Sequence, residues 1–469
     1  MSTELWRWEA SALTAAIRAR QISSREAVAS CLHRLEKVNP AINAVVDVLG
    51  DEALDTADGA DAAVARGEEL GSLHGVPVTF KINVDFAGRA NTNGVVAFKD
   101  RVAQFDSPPV ANWRKAGAIP IGRTNVPPFS ARFFTANSLH GRTLNPWNAE
   151  RTPGGSSGGA AAAVATGIGP LAHGNDRAGS VRYPAYACGV AGLRPTIGRV
   201  AAFDATSPED FSAATQLTFV QGLLARTIRD VRLGFKALAA RDPRDPWWTP
   251  VPIEETGNAR PLRVAMFCDA ASGLVDPAVR DAVRQAAVAL ADAGYDIEET
   301  SPPRFEEAAR LFFTLLRTEE AASTTKAIEQ LGDEQLRRAR ASTMAYASEL
   351  DFAGYIKAFA RRASMLREWM IFFERYPLLL MPVSWELPFP VDFDQQGDAA
   401  VARMLTAHHP MLAVSLLGLP GLSVPMGLSD GIPVGVQLVA GRFCEELCLL
   451  AGEIIESRYP PQTPIDPRI

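Results

Sequence analysis

The stretch Thr152-Pro-Gly-Gly-Ser-Ser-Gly-Gly159, followed by an alanine-rich run at 160–165, has the most unusual composition in the chain. Four glycines around two serines give a backbone that can turn tightly and admit close contact with other groups. A flexible linker is one interpretation, but linkers are not usually flanked by strong helix formers and apolar residues. The stretch therefore predicts a tight turn that leads into a helix.

Two chemical interpretations of the same stretch remain open. A phosphate-binding loop would end in Lys followed by Ser or Thr, whereas Ala160 and Ala161 follow Gly159, which disfavours this interpretation. The stretch also fits the pattern G-x-S-x-G twice, at 154–158 and 155–159, as in the nucleophile elbow of α/β-hydrolases. An elbow requires an acid and then a histidine later in the chain, and His408 and His409 are the candidates.

The next segment, His173-Gly-Asn-Asp-Arg-Ala-Gly-Ser-Val-Arg-Tyr-Pro-Ala185, is left unexplained by the elbow. Small residues before Ser180 leave a run of backbone amides unobstructed, which can form an anion-binding nest. A serine at the end of such a run can attack a carbonyl while the amides hold the developing oxyanion. A turn before a buried helix explains the same pattern equally well. The amides in question are those of Arg177, Ala178, Gly179 and Ser180.

Composition predicts a globular protein. Of the 469 residues, 47% are hydrophobic and 21% are charged, so we expect a packed core. The net charge of −6 argues against nucleic-acid and anionic-membrane partners. The length would usually suggest two or three domains, but no repeat, low-complexity tract or clean linker divides the chain. We therefore expect a single domain over residues 1–469.

The five cysteines and the chain termini exclude several classes of protein. The cysteines are too few and too scattered for a disulfide framework, and no histidine lies near the Cys444–Cys448 pair to complete a metal site. The N-terminus lacks the pattern of a signal peptide. An uncharged stretch at 411–428 is interrupted by glycines and prolines, which favours a buried helix, a turn and a strand. We expect a soluble, cytoplasmic protein without a metal.

Strands and helices are predicted to alternate along most of the chain. Short apolar strands are predicted at 75–82, 118–121, 262–267, 376–383 and 434–439. Helix starts are predicted at the capping box of Ser23, at Ser107-Pro108-Pro109 and at Asp276-Pro277, and the first helix is expected to end at Asn39-Pro40. This alternation favours an α/β fold with a sheet covered by helices on both faces. Residues 1–60 and 303–375 are expected to be mainly helical.

Taken together, several segments resemble the amidase signature family. The similarity lies in the two segments quoted above, whose Ser156 and Ser180 are 24 residues apart as is typical of the family, and in five further stretches. It covers nearly the whole chain and is weakest at 303–375. The further stretches are Leu73-His-Gly-Val-Pro-Val-Thr-Phe-Lys81, Gly117-Ala-Ile-Pro-Ile-Gly-Arg-Thr-Asn125, Asn145-Pro-Trp-Asn148, Cys188-Gly-Val-Ala-Gly-Leu-Arg-Pro-Thr196 and Gly431-Ile-Pro-Val-Gly-Val-Gln-Leu438.

The resemblance implies a large mixed sheet with a signature core at about 70–200 and a Ser–cis-Ser–Lys triad. Ser180 would be the nucleophile, Ser156 the proton relay after a cis peptide bond, and Lys81 the base, made basic by burial that lowers its pKa. Ser157 and Asp176 would be accessory groups. The implied reaction is hydrolysis of an amide C–N bond through an acyl-enzyme, with neither cofactor nor metal.

Some residues depart from the family pattern and leave the substrate open. Asn175, Ala178, Ile82 and Pro128 stand where the family commonly has Thr, Gly, an acidic residue and Glu. This combination resembles the branch that includes hydrolases of nylon-oligomer cyclic dimers and other broad-range amidases. Aryl or alkyl amides, carbamates (as in a urethanase) and cyclic amides are the candidate substrates, and no substrate-binding residue is assigned.

Further questions stay open at this point. Aromatic residues of the variable region could line a pocket, although most should belong to the core. Arg182 and His173 are expected to be structural. A glutaminase subunit of a tRNA-dependent amidotransferase and a catalytically silent binding protein are the alternative functions, and a homodimer is the assembly left open. The aromatic residues are Phe312, Phe313, Trp369, Phe372 and Trp385.

Overall fold

The computed structural model describes residues 4–207, 209–253, 262–270, 273 and 275–469. Their strands form one large sheet and a separate two-stranded ribbon. None of the helices in these ranges is long and apolar enough to cross a membrane. The strands are β1 (Val45–Val48), β2 (Pro77–Lys81), β3 (Ile119–Thr124), β4 (Ala136–Asn137), β5 (Gly141–Arg142), β6 (Leu171–Asp176), β7 (Ala191–Arg194), β8 (Val220–Ala225), β9 (Arg263–Met266), β10 (Asp296–Glu299), β11 (Leu378–Pro382), β12 (Gly421–Ser429) and β13 (Ile432–Ala440).

Eleven of these strands form the large sheet, in the order β1-β3-β2-β6-β8-β7-β12-β13-β11-β9-β10. The sheet is mixed: β3, β2 and β6 are parallel to one another, as are β11, β9 and β10, whereas the strands between β6 and β11 pair antiparallel. Successive residues of a strand point to opposite faces, so a strand whose residues are all buried is covered on both faces. β2, β3, β6, β7, β8, β11 and β13 meet this condition, which confirms the predicted fold class.

Helices pack against this sheet along the whole chain. Between Phe305 and Arg375 the chain is almost entirely helical, as predicted. The helices are α1 (Ala10–Arg18), α2 (Ser24–Ile42), α3 (Gly50–Arg66), α4 (Pro108–Lys115), α5 (Gly158–Thr166), α6 (Arg182–Cys188), α7 (Ala213–Gln216), α8 (Ile228–Leu238), α9 (Pro277–Asp292), α10 (Phe305–Ala322), α11 (Thr325–Leu331), α12 (Glu334–Ala345), α13 (Phe352–Arg375), α14 (Asp398–Ala407), α15 (His409–Leu417) and α16 (Glu445–Arg458).

Local sequence signals agree with the helix and strand boundaries, with one correction. The capping box of Ser23 and Glu26 is present at the start of α2. The prediction that α2 ends at Asn39-Pro40 is wrong, because the helix continues to Ile42. The Asn39 side chain stabilises the end instead: its Oδ1 accepts hydrogen bonds from the backbone N–H groups of Ala44 and Val45, both at 2.9 Å.

The sheet brings the ends of several elements to one place. β2 ends at Lys81 and its parallel neighbour β6 ends at Asp176. Both side chains therefore lie at the same edge of the sheet, the one formed by the C-terminal ends of these two strands. α5 begins one residue after Ser157, and α6 begins two residues after Ser180. All the predicted catalytic residues therefore lie at strand or helix ends close to this edge.

Candidate active site

Lys81 occupies a fully buried position at the end of β2, where its 0% exposed side chain contacts two oxygens. Its Nζ lies 2.7 Å from Ser156 Oγ and 2.7 Å from Asn175 Oδ1. Burial lowers the pKa of the Lys81 amine well below its ordinary value, and the charge of Asp176 offsets this in part. A neutral amine in contact with a serine hydroxyl can accept its proton, which is what a general base requires.

Ser156 and Ser157 lie in a tightly packed turn. The peptide bond between Gly155 and Ser156 is cis, in agreement with the resemblance. A Cβ on Gly155 would approach the carbonyl carbon of Phe133 to 2.6 Å, so the backbone could not pass here with any other residue. In the described part of the chain, the hydrogen bonds of Ser157 go elsewhere than Lys81: its N–H donates to the Ser180 carbonyl at 3.2 Å and its Oγ lies 3.5 Å from the Asn175 carbonyl.

Ser180 follows a turn in which Gly179 has a φ of +111°. Ser180 itself is 9% exposed, while Arg177 and Ala178 are half-buried, so the loop reaches solvent. The N–H of Gly179 donates to Asp176 Oδ1 at 2.8 Å and already has a strong acceptor. This amide differs from the sequence expectation of a free donor, because the Asp176 carboxylate turns back onto its own loop.

Asp176 is the centre of a buried charged cluster. Its carboxylate accepts hydrogen bonds from Arg182 at 3.0 Å and from Arg194 at 3.2 Å, in addition to the amides of Gly179 and Val181. Burial alone would raise the pKa of this carboxyl, but the two arginine charges outweigh it and hold the pKa well below its usual range. The cluster fixes the loop before Ser180.

Arg182 has a structural environment, as expected. Besides Asp176, it donates to Gln437 Oε1 at 2.6 Å and to Ser415 Oγ at 2.8 Å, and its side chain is fully buried. It thereby ties α6 to α15 and β13. All of these partners belong to the protein, so Arg182 has no donor directed at the loop surface that a substrate would use.

Sequence reasoning missed the role of two asparagines. The sequence marks Asn175 as a departure from the family pattern but predicts no contact for it, and it does not single out Asn83. In the structure Asn175 accepts a hydrogen bond from Lys81 and exchanges hydrogen bonds with Asn83 at 3.0 and 3.2 Å. The departure from Thr at position 175, together with a second amide two residues after Lys81, was the available signal.

Among the described residues, the recorded partners of the two histidines proposed for a nucleophile elbow are groups other than Ser156 and Ser180. His409 bonds Glu306 at 2.7 Å and Tyr346 at 2.9 Å. His408 is fully buried between the rings of Phe133 and Tyr183, each 4.4 Å away between centroids. The pKa of His408 is lowered to about 3, by burial first and then by the charge of His409.

His173 is also fully buried, with a side chain of the protein as its partner. Its Nε2 lies 2.9 Å from Gln221 Oε1, and burial lowers its pKa to about 3. Within the part of the chain that the structure describes, the hydrogen bonds of Ser156 therefore link it to Lys81 and to neither His408 nor His409. The elbow interpretation has no support from these contacts.

The other candidate groups lie in the core or on the surface. The aromatic residues of the variable region are buried or half-buried in the main hydrophobic cluster, with Trp385 packed against Phe267 and Phe305. One group of ligating side chains, Cys268, Asp269 and Glu299, has its ligand atoms within 4.8 Å of one another, but both carboxylates are exposed. A cavity of about 320 Å³ between α7, α10 and α13 contains none of the predicted catalytic residues.

Comparisons with known proteins identify relatives of this chain. A family model described as Amidase matches residues 26–449. The indoleacetamide hydrolase of Bradyrhizobium diazoefficiens is 43% identical over 455 residues, which cover 97% of this chain and 87% of that protein. One chain of the glutamyl-tRNA(Gln) amidotransferase of Moorella thermoacetica is 33% identical, with 97% of each chain covered. The solved structure of a 6-aminohexanoate cyclic dimer hydrolase with its substrate superposes with a TM-score of 0.84 at 27% identity, covering 98% of this chain and all of that one.

Proposed function

The chain belongs to the amidase signature family and hydrolyses amide C–N bonds other than peptide bonds, and on this premise we propose that Ser180 is its nucleophile. Ser156 is the proton relay and Lys81 is the base. The observation that carries this assignment is the 2.7 Å contact between Lys81 Nζ and Ser156 Oγ in a fully buried position. Ser157 and Asp176 are accessory groups that hold the backbone around the two serines.

The proposed reaction has two halves. Ser180 Oγ attacks the carbonyl carbon and gives its proton to Ser156, which passes its own proton to the Lys81 amine. The tetrahedral intermediate expels the amine, which takes that proton back through Ser156 and leaves an acyl ester on Ser180. Water then attacks the ester by the same proton route and releases the carboxylic acid.

The developing oxyanion is held by amides of the loop before Ser180. We assign this role to the N–H groups of Arg177, Ala178 and Ser180, with Gly179 contributing after it shares or leaves its bond to Asp176. Ala178 in place of Gly still supplies an N–H, so the side chain does not remove the donor. Loss of one such donor costs about 2.7–4 kcal/mol of barrier in other hydrolases.

The proposed substrates are small amides with an aryl or alkyl acyl group. Indoleacetamide is the first substrate to test, because the indoleacetamide hydrolase of Bradyrhizobium diazoefficiens is 43% identical to this chain. The backbone of the half-buried Phe133 borders the turn of Gly155, and its ring, which packs against His408 and Tyr183, is the apolar surface that we propose for the acyl group. Anilides, carbamates and the cyclic dimer of 6-aminohexanoate form the comparison panel.

A glutaminase subunit is the second candidate function. It is supported by the relative from Moorella thermoacetica, at the lower identity of 33%. Glutamine hydrolysis and co-purifying partner subunits would favour it, whereas turnover of indoleacetamide by the purified chain alone would favour the first candidate. A cytoplasmic enzyme that works without nucleic acid, alone or as a homodimer, belongs to the same proposal, and light scattering on the purified protein tests the assembly.

Two variants test the nucleophile directly. Ser180→Ala should abolish turnover and labelling by a fluorophosphonate probe, whereas Ser384→Ala, which removes another buried serine hydroxyl, should keep both. Full activity of the Ser180→Ala enzyme would overturn the proposal. If His408→Ala and His409→Ala abolish activity while Lys81→Ala does not, the nucleophile-elbow enzyme is the correct interpretation.

A further inference from the structure

A chain of neutral side chains leads away from the Lys81 amine. Lys81 Nζ donates to Asn175 Oδ1 at 2.7 Å, and Asn175 Nδ2 donates to Asn83 Oδ1 at 3.0 Å. Asn83 Nδ2 donates to Asn175 Oδ1 at 3.2 Å and to Ser130 Oγ at 2.9 Å. Ser130 Oγ in turn donates to Asn93 Oδ1 at 2.9 Å. Four side chains thus connect the base to a loop outside the sheet.

The donor and acceptor roles in this series of side chains are fixed from its far end, although Asn83 and Asn175 donate to each other. The side-chain oxygen Oδ1 of Asn93 can only accept a hydrogen bond. The Ser130 hydroxyl therefore points its hydrogen at this oxygen and offers a lone pair to Asn83 Nδ2. The Asn83 amide is thereby oriented, and with it the Asn175 amide, whose carbonyl oxygen faces Lys81. An acceptor at this point draws an N–H of the amine toward itself, so the lone pair of a neutral amine remains free for the Ser156 hydroxyl 2.7 Å away.

The far end of the chain is fixed by the backbone. Asn93 and Ser130 have φ angles of +43° and +55°, and Phe129 between Pro128 and Ser130 has +55°. The Phe129 N–H donates to the Asn93 carbonyl at 2.9 Å, which holds the two loops together. Non-glycine residues rarely adopt these angles, and they persist where the surrounding structure determines them. The orientation of Ser130 toward Asn93 is therefore set by the fold.

The charged groups near Lys81 are engaged with other partners, so the direct contacts of its amine are with uncharged side chains. Asp176 raises the pKa of Lys81, but its own carboxylate is bonded to Arg182 and Arg194. His173, the other titratable group in electrostatic contact with Lys81, is neutral because its pKa is lowered to about 3. The direct partners of the amine are thus Ser156 and Asn175, neither of which carries a charge.

From this geometry we propose that Asn175 and Asn83 are positioning residues that hold the Lys81 amine against Ser156 through an uncharged, oriented acceptor. Asn175 makes the contact, while Asn83 and Ser130 set the direction of its amide. The proposal rests on the proposed function, in which Lys81 is the base. It adds that the protonation state of the Lys81 amine depends on the side chain at position 175 being uncharged.

The decisive variant is Asn175→Asp, which keeps the shape and adds a negative charge next to Lys81. A carboxylate at this distance favours the charged amine, so the acidic limb of the pH profile of kcat/KM should move upward by about 1–3 pH units. The rate of fluorophosphonate labelling of Ser180 as a function of pH should move by the same amount and can be followed at very low turnover. Asn148→Asp is the matched control, because it adds the same charge at a half-buried site where the side chain still caps the Glu150 N–H.

Ser130→Gly gives a second test that does not touch Lys81. Glycine accepts the left-handed backbone, so the variant removes the hydroxyl without straining the loop. We expect kcat to fall about fivefold to tenfold, the equivalent of one hydrogen bond, with KM unchanged. Wild-type kcat in this variant would overturn the role of Ser130 in orienting the amides.

The outcomes separate the two proposals. If Ser180→Ala stays active, the proposed function fails. If Ser180→Ala is inactive and the pH limb of Asn175→Asp coincides with that of the wild type and of Asn148→Asp, the triad stands and the positioning role of Asn175 is wrong. Should Asn175→Asp not fold, the Asn83→Asp variant replaces it, because it removes the donor to Asn175 Oδ1 and brings a carboxylate to the next position of the chain.

Discussion

Lys81 and Asp176 end two neighbouring parallel strands and are equally buried, yet their surroundings are opposite. Asp176 has two arginines and several amides around its carboxylate, which keep it charged. Lys81 has a serine hydroxyl and an amide oxygen as partners, and burial lowers the pKa of its amine well below the ordinary value. Burial at the same edge of the sheet thus gives a permanent charge in one case and a titratable base in the other.

This difference gives the two residues different roles: Asp176 stabilises the structure, and Lys81 is suited to proton transfer. A charge with full compensation cannot change its protonation without breaking several bonds, so Asp176 is suited to hold the loop before Ser180. An amine without a carboxylate partner can gain and lose a proton at little structural cost. The following predictions test this division.

The largest effect is expected for Lys81→Ala. If Lys81 is the base, kcat should fall about 10³-fold to 10⁵-fold, as for members of other catalytic triads. The thermal midpoint should be unchanged or higher, because the variant removes a buried amine that no carboxylate compensates. Steady-state kinetics and a thermal scan measure the two, with the exposed Lys115→Ala as control. A loss of stability without loss of kcat would reverse the roles given to the two sites.

Asp176→Asn should show the opposite pattern in unfolding experiments. It leaves Arg182 and Arg194 buried without their counter-charge, and we expect the free energy of unfolding to fall by about 3–5 kcal/mol. Urea unfolding measures this change. The control is Asp292→Asn, which breaks an exposed pair with Arg458 and should cost less than about 1 kcal/mol. Equal effects of the two variants would contradict the structural role of the Asp176 cluster.

His408 is a third buried titratable group to compare with Lys81 and Asp176. Like Lys81, and unlike Asp176, it has no oppositely charged partner among its described contacts. Its pKa is about 3 in the folded protein and about 6.5 in an unfolded chain, so the unfolded state binds one more proton between these values. Stability must therefore fall as the pH falls from 6.5 toward 3, by about 1.4 kcal/mol per pH unit for this residue. His408→Phe should lose this part of the slope when unfolding is measured at pH 6.5 and 5.0. An unchanged slope would mean that His408 is not buried in its neutral form.

The smallest effect is expected for Ser157→Ala, in contrast to Ser156→Ala. Ser157 contributes its backbone N–H to Ser180, which the substitution keeps, and its hydroxyl makes one long bond of 3.5 Å. We expect kcat to fall less than about tenfold, whereas Ser156→Ala should resemble Lys81→Ala. Parallel kinetics on the two variants measure the ratio. A greater loss of kcat for Ser157→Ala than for Ser156→Ala would show that the relay is Ser157 and that the assignment of Ser156 is wrong.

The fold could be predicted well where local signals and the family pattern agree. The capping box at Ser23, the proline at the first turn of α4 and the apolar run before Lys81 each act within a few residues, and the structure has the corresponding elements. The end of α2 could not be predicted, because a proline usually marks a helix end and the stabilising contacts of Asn39 depend on how the chain turns after Ile42.

The chemistry of the site could be predicted only in part. The resemblance names Lys81, Ser156 and Ser180, since each belongs to a continuous motif. It does not show that Asn175 contacts Lys81, because the two are 94 residues apart and are joined by strand pairing. The bond between Gly179 and Asp176 is short-range, but the sequence does not reveal which way the carboxylate turns.

The order of the strands also has a consequence for biosynthesis. β12 and β13 follow the other strands of this sheet in the sequence, yet they lie between β7 and β11 in the middle of the sheet. Until residues 421–440 have been made, the nascent chain holds two partial sheets with open edges at β7 and β11, and open edges are sites of aggregation. C-terminal truncations that remove this hairpin should therefore accumulate as insoluble protein even when every residue of the active site is present.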